Sequence, residues 1–211
     1  MKKISESLND IVKENPFLGY GLNNHLFNLS NLTRFLKPLI EVRTKKSVTE
    51  ASVLMSLSRL ARSKAKTRKD NFKINNLTVH YNLFSATFIK SEKNQAFVNK
   101  IYSLAHEKNS YLTISYGQGE ITIIADEFYL PLVRKEKISE PKSLKPDLVS
   151  MGVQFSPDYA VAPGFIFYLM AQIALQNINI CEVSSTFTEL IFYLHKSDAK
   201  IAFETLSLLL K

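Results

Sequence analysis

Apolar residues recur at helical spacing over the first seventy positions and at strand spacing from Leu77 onward. In the first stretch, Ser7-Leu-Asn-Asp10 reads as a cap ahead of a short helix that Pro16 stops. Ser30 reads as the cap of a second helix carrying Leu32, Phe35, Leu36, Leu39 and Ile40. Pro38 kinks or breaks it, because proline lacks the N–H that the helix needs. Ser47-Val-Thr-Glu50 has the form of a capping box, in which hydroxyl and carboxylate satisfy each other's backbone N–H groups. The helix it opens presents Ala51, Leu54, Met55, Ser58 and Ala61 as one stripe, widened by Leu57 and Leu60.

Beyond Leu77, "LTVHY" and "LFSATFIK" read as strands separated by Asn82. A helix through Phe97, Ile101, Leu104 and Ala105 follows. Two strands in "YLTISYGQGEITIIA" then flank a turn at Gly117-Gln118-Gly119. This order recurs. Sliding the chain by 69 residues sets 111–125 onto 180–194 without a gap, with Glu120 on Glu189. The same slide sets Phe97, Ile101, Leu104 and Ala105 on Ile166, Met170, Ile173 and Ala174, and strand 83–89 on 152–158. Each copy reads strand, helix, strand, strand, and the second adds a helix over 198–210. That is the ferredoxin-like order. The expected fold class is α+β: a basic helical domain at 1–76, a first βαββα unit at 77–140 and a second at 141–211, packed side by side. The segment "EKISEPKSLKPD" (136–147) is expected to be the connector.

The stretch "VAPGFIFYLMAQIALQNINICEVSSTFTELIFYLHKSDAKIAFETL" (161–206) has a Pro-Gly loop, a helix of paired apolar residues, an Asn-Ile turn, a hairpin and a closing helix. It resembles the ACT domain, in particular the tandem pair at the regulatory end of aspartate kinases. Residues 77–135 fit as a degenerate copy, with "KSEKNQ" (90–95) where the Pro-Gly loop would be. The resemblance implies an amino-acid effector bound between two ACT domains. Asp158, Tyr159, Ala160, Val161, Ala162, Pro163, Gly164 and Phe165 would take one end of it. Asn177, Ile178 and Asn179 of a neighbouring sheet would meet the ammonium. A loop entering a helix offers unpaired N–H groups and the positive end of the dipole to a carboxylate. The plainer reading is that Pro163-Gly164 starts a buried helix and the asparagines end it.

The kinase part of that resemblance is missing. Residues 1–76 hold only Gly19 and Gly21, in "FLGYGLNN", and no nucleotide-binding Gly-rich loop. Residues 28–63 instead resemble winged-helix-like modules found ahead of ACT domains.

Charge sharpens this division. Residues 1–76 hold 15 Lys and Arg against 6 Asp and Glu, while the rest of the chain is close to neutral. Arg43, Lys45, Lys46, Arg59, Arg62, Lys64, Lys66, Arg68 and Lys69 are candidate phosphate contacts for DNA. A solvated helix end, with cations complementing the dipole, explains the same charges. His25, His80, His106 and His195 show no metal-ligand spacing, and Cys181 is the single cysteine. No metal, no cofactor and no catalytic residue is therefore expected, and Asp126-Glu127 reads as a cap. The apolar run 160–175 is too short for a bilayer, and no apolar segment follows Lys2 and Lys3. The expectation is a cytoplasmic protein with no membrane partner. It would be an amino-acid-sensing regulator, a homodimer through its ACT-like units, with output through the helical domain to DNA or a partner enzyme. The alternatives are a ligand-free module for dimerisation and protein interaction, or a DNA-binding transcriptional regulator.

Overall fold

A computed structural model describes residues 2–67, 72–135 and 140–210 of the chain. They form two compact units, one of residues 1–72 with 161–170, the other of 73–160 with 171–211.

The first unit is built on helices α1 (Ile4–Glu14), α2 (Pro16–Asn23), α3 (Leu29–Thr44) and α4 (Glu50–Thr67). Three of the expected starts move. Ser7 lies buried inside α1 rather than capping it. Asn28, not Ser30, caps α3, its Oδ1 accepting from the N–H groups of Ser30 and Asn31. Thr49 takes the capping position of α4, its Oγ1 accepting from the Ser52 N–H at 3.3 Å. Ser47 instead turns its hydroxyl to Glu41. Pro16 begins α2 in the first-turn position where the missing N–H costs nothing. The core side of α4 is Val53, Leu57 and Ala61, packed with Leu8, Val12, Leu36 and Ile40. Of the predicted stripe, Ala51 and Met55 face outward. That helix is apolar on more than one face, so its period alone does not fix its rotation. No strand occurs among the described residues of 2–67. The wing of a winged helix is a β-hairpin, so the winged-helix-like expectation is not met there.

The second unit contains one antiparallel sheet of six strands in the order β2-β3-β1-β4-β6-β5. The strands are β1 (Asn76–Ile89), β2 (Leu112–Tyr116), β3 (Glu120–Asp126), β4 (Ser143–Gln154), β5 (Ile180–Ser185) and β6 (Glu189–His195). The repeat is plain in this order: β1-α5-β2-β3-α6 and β4-α8-β5-β6-α9. Here α5 is Glu92–Lys108, α6 Leu130–Lys135, α8 Phe165–Leu175 and α9 Ala199–Ser207. A short turn of helix, α7 (Pro157–Ala160), precedes α8. The two halves join where β1 pairs with β4. Phe84, Ala86 and Phe88 of β1 and Ile121, Ile123 and Ala125 of β3 pack with Phe97, Val98 and Ile101 of α5.

Three expectations about the repeat need correcting. The helices correspond at 68 residues rather than 69: buried Phe97, Ile101 and Ala105 answer to buried Phe165, Leu169 and Ile173, and the expected partners Ile166 and Ala174 are exposed. Strand 83–89 corresponds to 148–154, not 152–158: β1 meets β3 as Leu83 with Asp126 and Ile89 with Glu120, and β4 meets β6 as Leu148 with His195 and Gln154 with Glu189. The connector is also shorter than expected, because Ser143–Asp147 already belongs to β4. Pro146 is accommodated beside the irregularity at Asp147, where the ladder does not need its N–H.

The opposite face of the sheet closes on itself. Leu83, Ile124, Leu148 and Tyr193 form its buried centre. The Tyr193 hydroxyl shares hydrogen bonds with Tyr111 (2.8 Å), Thr113 of β2 (2.9 Å) and Ser184 of β5 (3.0 Å). Four strand spacings separate β2 from β6, about 19 Å in a flat sheet. A direct side-chain bond across that span means the sheet curls toward this face. Lys145 adds a bond to Glu182 at 3.0 Å and to the Cys181 carbonyl at 3.1 Å.

Candidate ligand-binding site

The two repeats differ most between their first strand and first helix. In the first, Lys90 and Ser91 alone join β1 to α5, and the Ser91 hydroxyl accepts from the Asn94 N–H at 3.2 Å. That helix start is capped by its own chain. In the second, residues 155–164 intervene, with α7 inside them. Ser156 turns its hydroxyl to Asp158, and the Tyr159 N–H returns to the Ser156 carbonyl at 2.9 Å. Asp158, Ala160, Val161 and Pro163 are exposed, while Tyr159 and Ala162 are half-buried. Gly164 has φ +92°, a conformation that L-residues rarely adopt. Its carbonyl accepts from the Tyr168 N–H at 2.8 Å as the first turn of α8 closes. Phe165 is buried.

The other predicted contacts stand at the far end of α8. Asn177 ends that helix in the left-handed conformation, φ +57°, matching Asn109 at the end of α5, φ +48°. Ile178 is buried, and Asn177 and Asn179 are exposed. The Asn179 amide approaches Cys181 Sγ at 3.8 Å. Eleven helical residues span about 16 Å. Within one chain, the 158–165 loop and the 177–179 turn therefore do not meet around a small molecule.

The loop is covered from the side where Gly164 lacks a side chain. A Cβ built on Gly164 would lie 3.1 Å from Pro16 Cβ and 3.4 Å from its Cγ. Phe17 and Tyr20 meet Phe167 edge-on, with centroids 6.3 and 6.0 Å apart, and Tyr20 also reaches Tyr168 at 6.5 Å. Phe72 completes the cluster against Phe165 and Tyr168. Burial, with Tyr20 alongside, pushes the Tyr168 hydroxyl above its ordinary pKa. Nothing in the sequence announced this contact. Pro16 read only as a helix stop.

The basic candidates divide. Arg43 is bound to Glu14 at 2.6 Å, which takes its guanidinium for an internal pair. Lys45, Lys46, Arg59 and Arg62 are exposed. Lys64 and Lys66 lie on α4, but their side chains, like Arg68 and Lys69 altogether, lie outside the described residues.

Asp126 stands at the N-cap position of a 3-10 turn over Glu127–Tyr129 but makes no side-chain capping bond there: its carboxylate accepts from the Tyr111 N–H at 2.8 Å, and that of Glu127 from the Asp147 N–H at 3.2 Å. Burial pushes the Cys181 thiol up, away from the reactive thiolate. Among the described residues, no group of three His, Cys, Asp or Glu is placed to hold a metal ion. No helix among them is long and apolar enough to cross a membrane. A cleft of about 400 Å³ lies in the first repeat, lined by Tyr102, His106, Asn109 and Ile114 among others.

No family model matches the chain, and no curated protein matches it in sequence. Its structure is similar to aspartate kinase of Clostridium acetobutylicum, at TM-score 0.53 and 14% identity over 66% of this chain. The match spans 35% of that kinase's length. The regulatory subunit of aspartate kinase from Thermus thermophilus, in its ligand-free form, aligns over 66% of this chain and 99% of its own, at TM-score 0.49 and 11% identity. At these identities the likeness is one of fold. The resemblance to aspartate kinases read from the sequence holds at that level, over about a third of the kinase.

Proposed function

We propose that this chain is an amino-acid-sensing regulatory protein whose second repeat holds the effector. The observation that carries this reading is the asymmetry between the repeats. The first has a two-residue link and a self-capped helix; the second has a ten-residue loop ending at a left-handed glycine. A strand-to-helix loop longer than connection requires is where binding residues concentrate. The fold shared with an aspartate kinase gives that loop its context. The effector's carboxylate sits against the backbone of Ala162–Phe165. Its ammonium is met by Asn177–Asn179 of a second copy, since the chain's own turn is a helix length away. This makes the active form a homodimer, assembled through the outer strands and helices of the sheet unit. The chain acts as a regulator rather than an enzyme, passing the signal through the helical unit to DNA or to a partner enzyme.

The test is a thermal-shift screen against the twenty amino acids, each supplied singly, followed by light scattering with and without the hit. A stabilising amino acid that also favours the dimer is expected. If none raises the melting temperature, the ligand-free interaction module is the better account. That second reading is favoured by one observation, the Pro16 ring already occupying the space beside Gly164.

A further inference from the structure

We propose that α2 is a built-in competitor of the effector: it plugs the 161–164 loop, and ligand binding requires its release. This inference rests on the sensor reading above and adds how the site is regulated. Gly164 needs to be glycine for two reasons, its φ of +92° and the approach of the Pro16 ring. The space left by the missing Cβ is the space that a carboxylate approaching this backbone would enter. In the closed state it is filled by proline carbon, so ligand and α2 exclude one another.

The plug is built to come away. Two faces of α2 do different work. Leu18, Gly21 and Leu22 are buried in the helical unit, and a side chain at Gly21 would collide with Phe27. Pro16, Phe17 and Tyr20 face the other way, onto the loop and the first turn of α8. This second contact is shallow, as Phe17 remains 56% exposed. The helix is short, eight residues, and it is bounded by extended backbone at Asn15 (φ −123°, ψ 101°) and by left-handed His25 (φ +55°). Releasing the contacts of Phe17 and Tyr20 with Phe167 and Tyr168 leaves Leu18 and Leu22 in the helical core, with Phe17 still edge-on to Phe27 at 5.5 Å. Effector binding therefore translates into release of α2 from the loop and the first turn of α8, which is the output step the sensor reading leaves open. The measured affinity is the intrinsic one reduced by the fraction of molecules with the plug open.

The experiment uses the full chain and two variants that cut the contact from either side, Phe17→Ala with Tyr20→Ala, and Phe167→Ala. Hydrogen exchange of the amides at 161–168 is followed by mass spectrometry, and the twenty amino acids are titrated calorimetrically. Exchange at 161–168 should rise about tenfold or more in either variant, while β3 amides keep wild-type rates. The amino acid that binds the wild type should bind the variants about tenfold tighter. Unchanged exchange in both variants overturns the plug. Faster exchange with unchanged affinity overturns the competition. Faster exchange with no amino acid bound by any of the three proteins overturns the competition through the sensor reading beneath it, and leaves α2 as a structural clasp. A variant that fails to fold is recognised by faster exchange at β3, and the other variant then decides.

Discussion

Asn82 and Asp147 are the same residue of the repeat, and both hold the left-handed conformation, at φ +59° and +55°. They mark the middle of β1 and β4, where the ladder shifts register. Around them the pairing is two-fold: Leu83 faces Leu148, while His80 with Ser150 exchanges for Ser85 with Lys145. Each half of the sheet thus carries one bulge, and the bulge sharpens the local twist. That twist helps the sheet curl far enough for Tyr193 to reach Thr113.

Asparagine and aspartate tolerate this conformation, and β-branched residues do not. Asn82→Val and Asp147→Val should each lower the unfolding free energy by about 1–2 kcal/mol. Asn82→Gly should be close to neutral. Urea denaturation measures all three, and a Val variant as stable as the wild type would contradict the bulge geometry.

The repeat was legible in the sequence because the hairpin keeps its spacing of 69, with Glu120 and Glu189 in the same place in β3 and β6. The first strand was misplaced by four residues. Strand side chains alternate with period two, so an even slip leaves the same residues on the same face and the pattern gives no warning. A second irregularity was invisible for a similar reason. Asn109 and Asn177 are one residue out of step with the hairpins behind them, and the β5 ladder shifts register between Ile180 and Glu182 to absorb it. The helical unit was legible as helices but not in its rotation or its caps. The Pro16 contact with Gly164 joins residues far apart in the chain, and neither residue type specifies a partner.

Tyr193 is fully buried, and its hydroxyl joins three others. Tyr193→Phe removes all three bonds at once. A loss of about 1–3 kcal/mol is expected by denaturant titration. The same network gives a pH dependence. Burial first, and then the bond to Tyr193, hold the Tyr111 phenol above its ordinary value of 10.0. A raised folded-state pKa means that the unfolded chain releases its proton first. The stabilisation from Tyr111 is therefore complete below pH 10 and drains away as pH rises beyond it. Denaturation midpoints flat through that window would contradict it.

Glu41 ties the turn between α3 and α4. Its Oε1 accepts from the Val48 N–H at 3.0 Å and the Ser47 hydroxyl at 3.3 Å, and Lys37 sits 3.2 Å away. The Val48 bond chiefly, then Lys37, lowers its pKa below 4.5. A depressed folded-state pKa contributes stability that is present above pH 4.5 and lost as pH falls through the folded value. Glu41→Gln should lower the melting temperature at pH 7 and flatten the acid limb of the stability curve. An unchanged acid limb would show that the carboxylate does not anchor the turn.

The central claim is that the second repeat, through the backbone around Gly164, binds an amino acid. Isothermal titration of the wild type, Gly164→Val and Lys93→Val tests it most directly. Lys93, in the first turn of α5, serves as the control in the first repeat because it is exposed, whereas neighbouring Asn94 is buried and donates to the Ile89 carbonyl at 2.7 Å. The account predicts binding by the wild type and Lys93→Val alike, and a loss of about tenfold or more in Gly164→Val, where φ +92° and the crowded approach leave no room for a branched side chain. Equal loss in both variants, or no amino acid bound by the wild type, would contradict it.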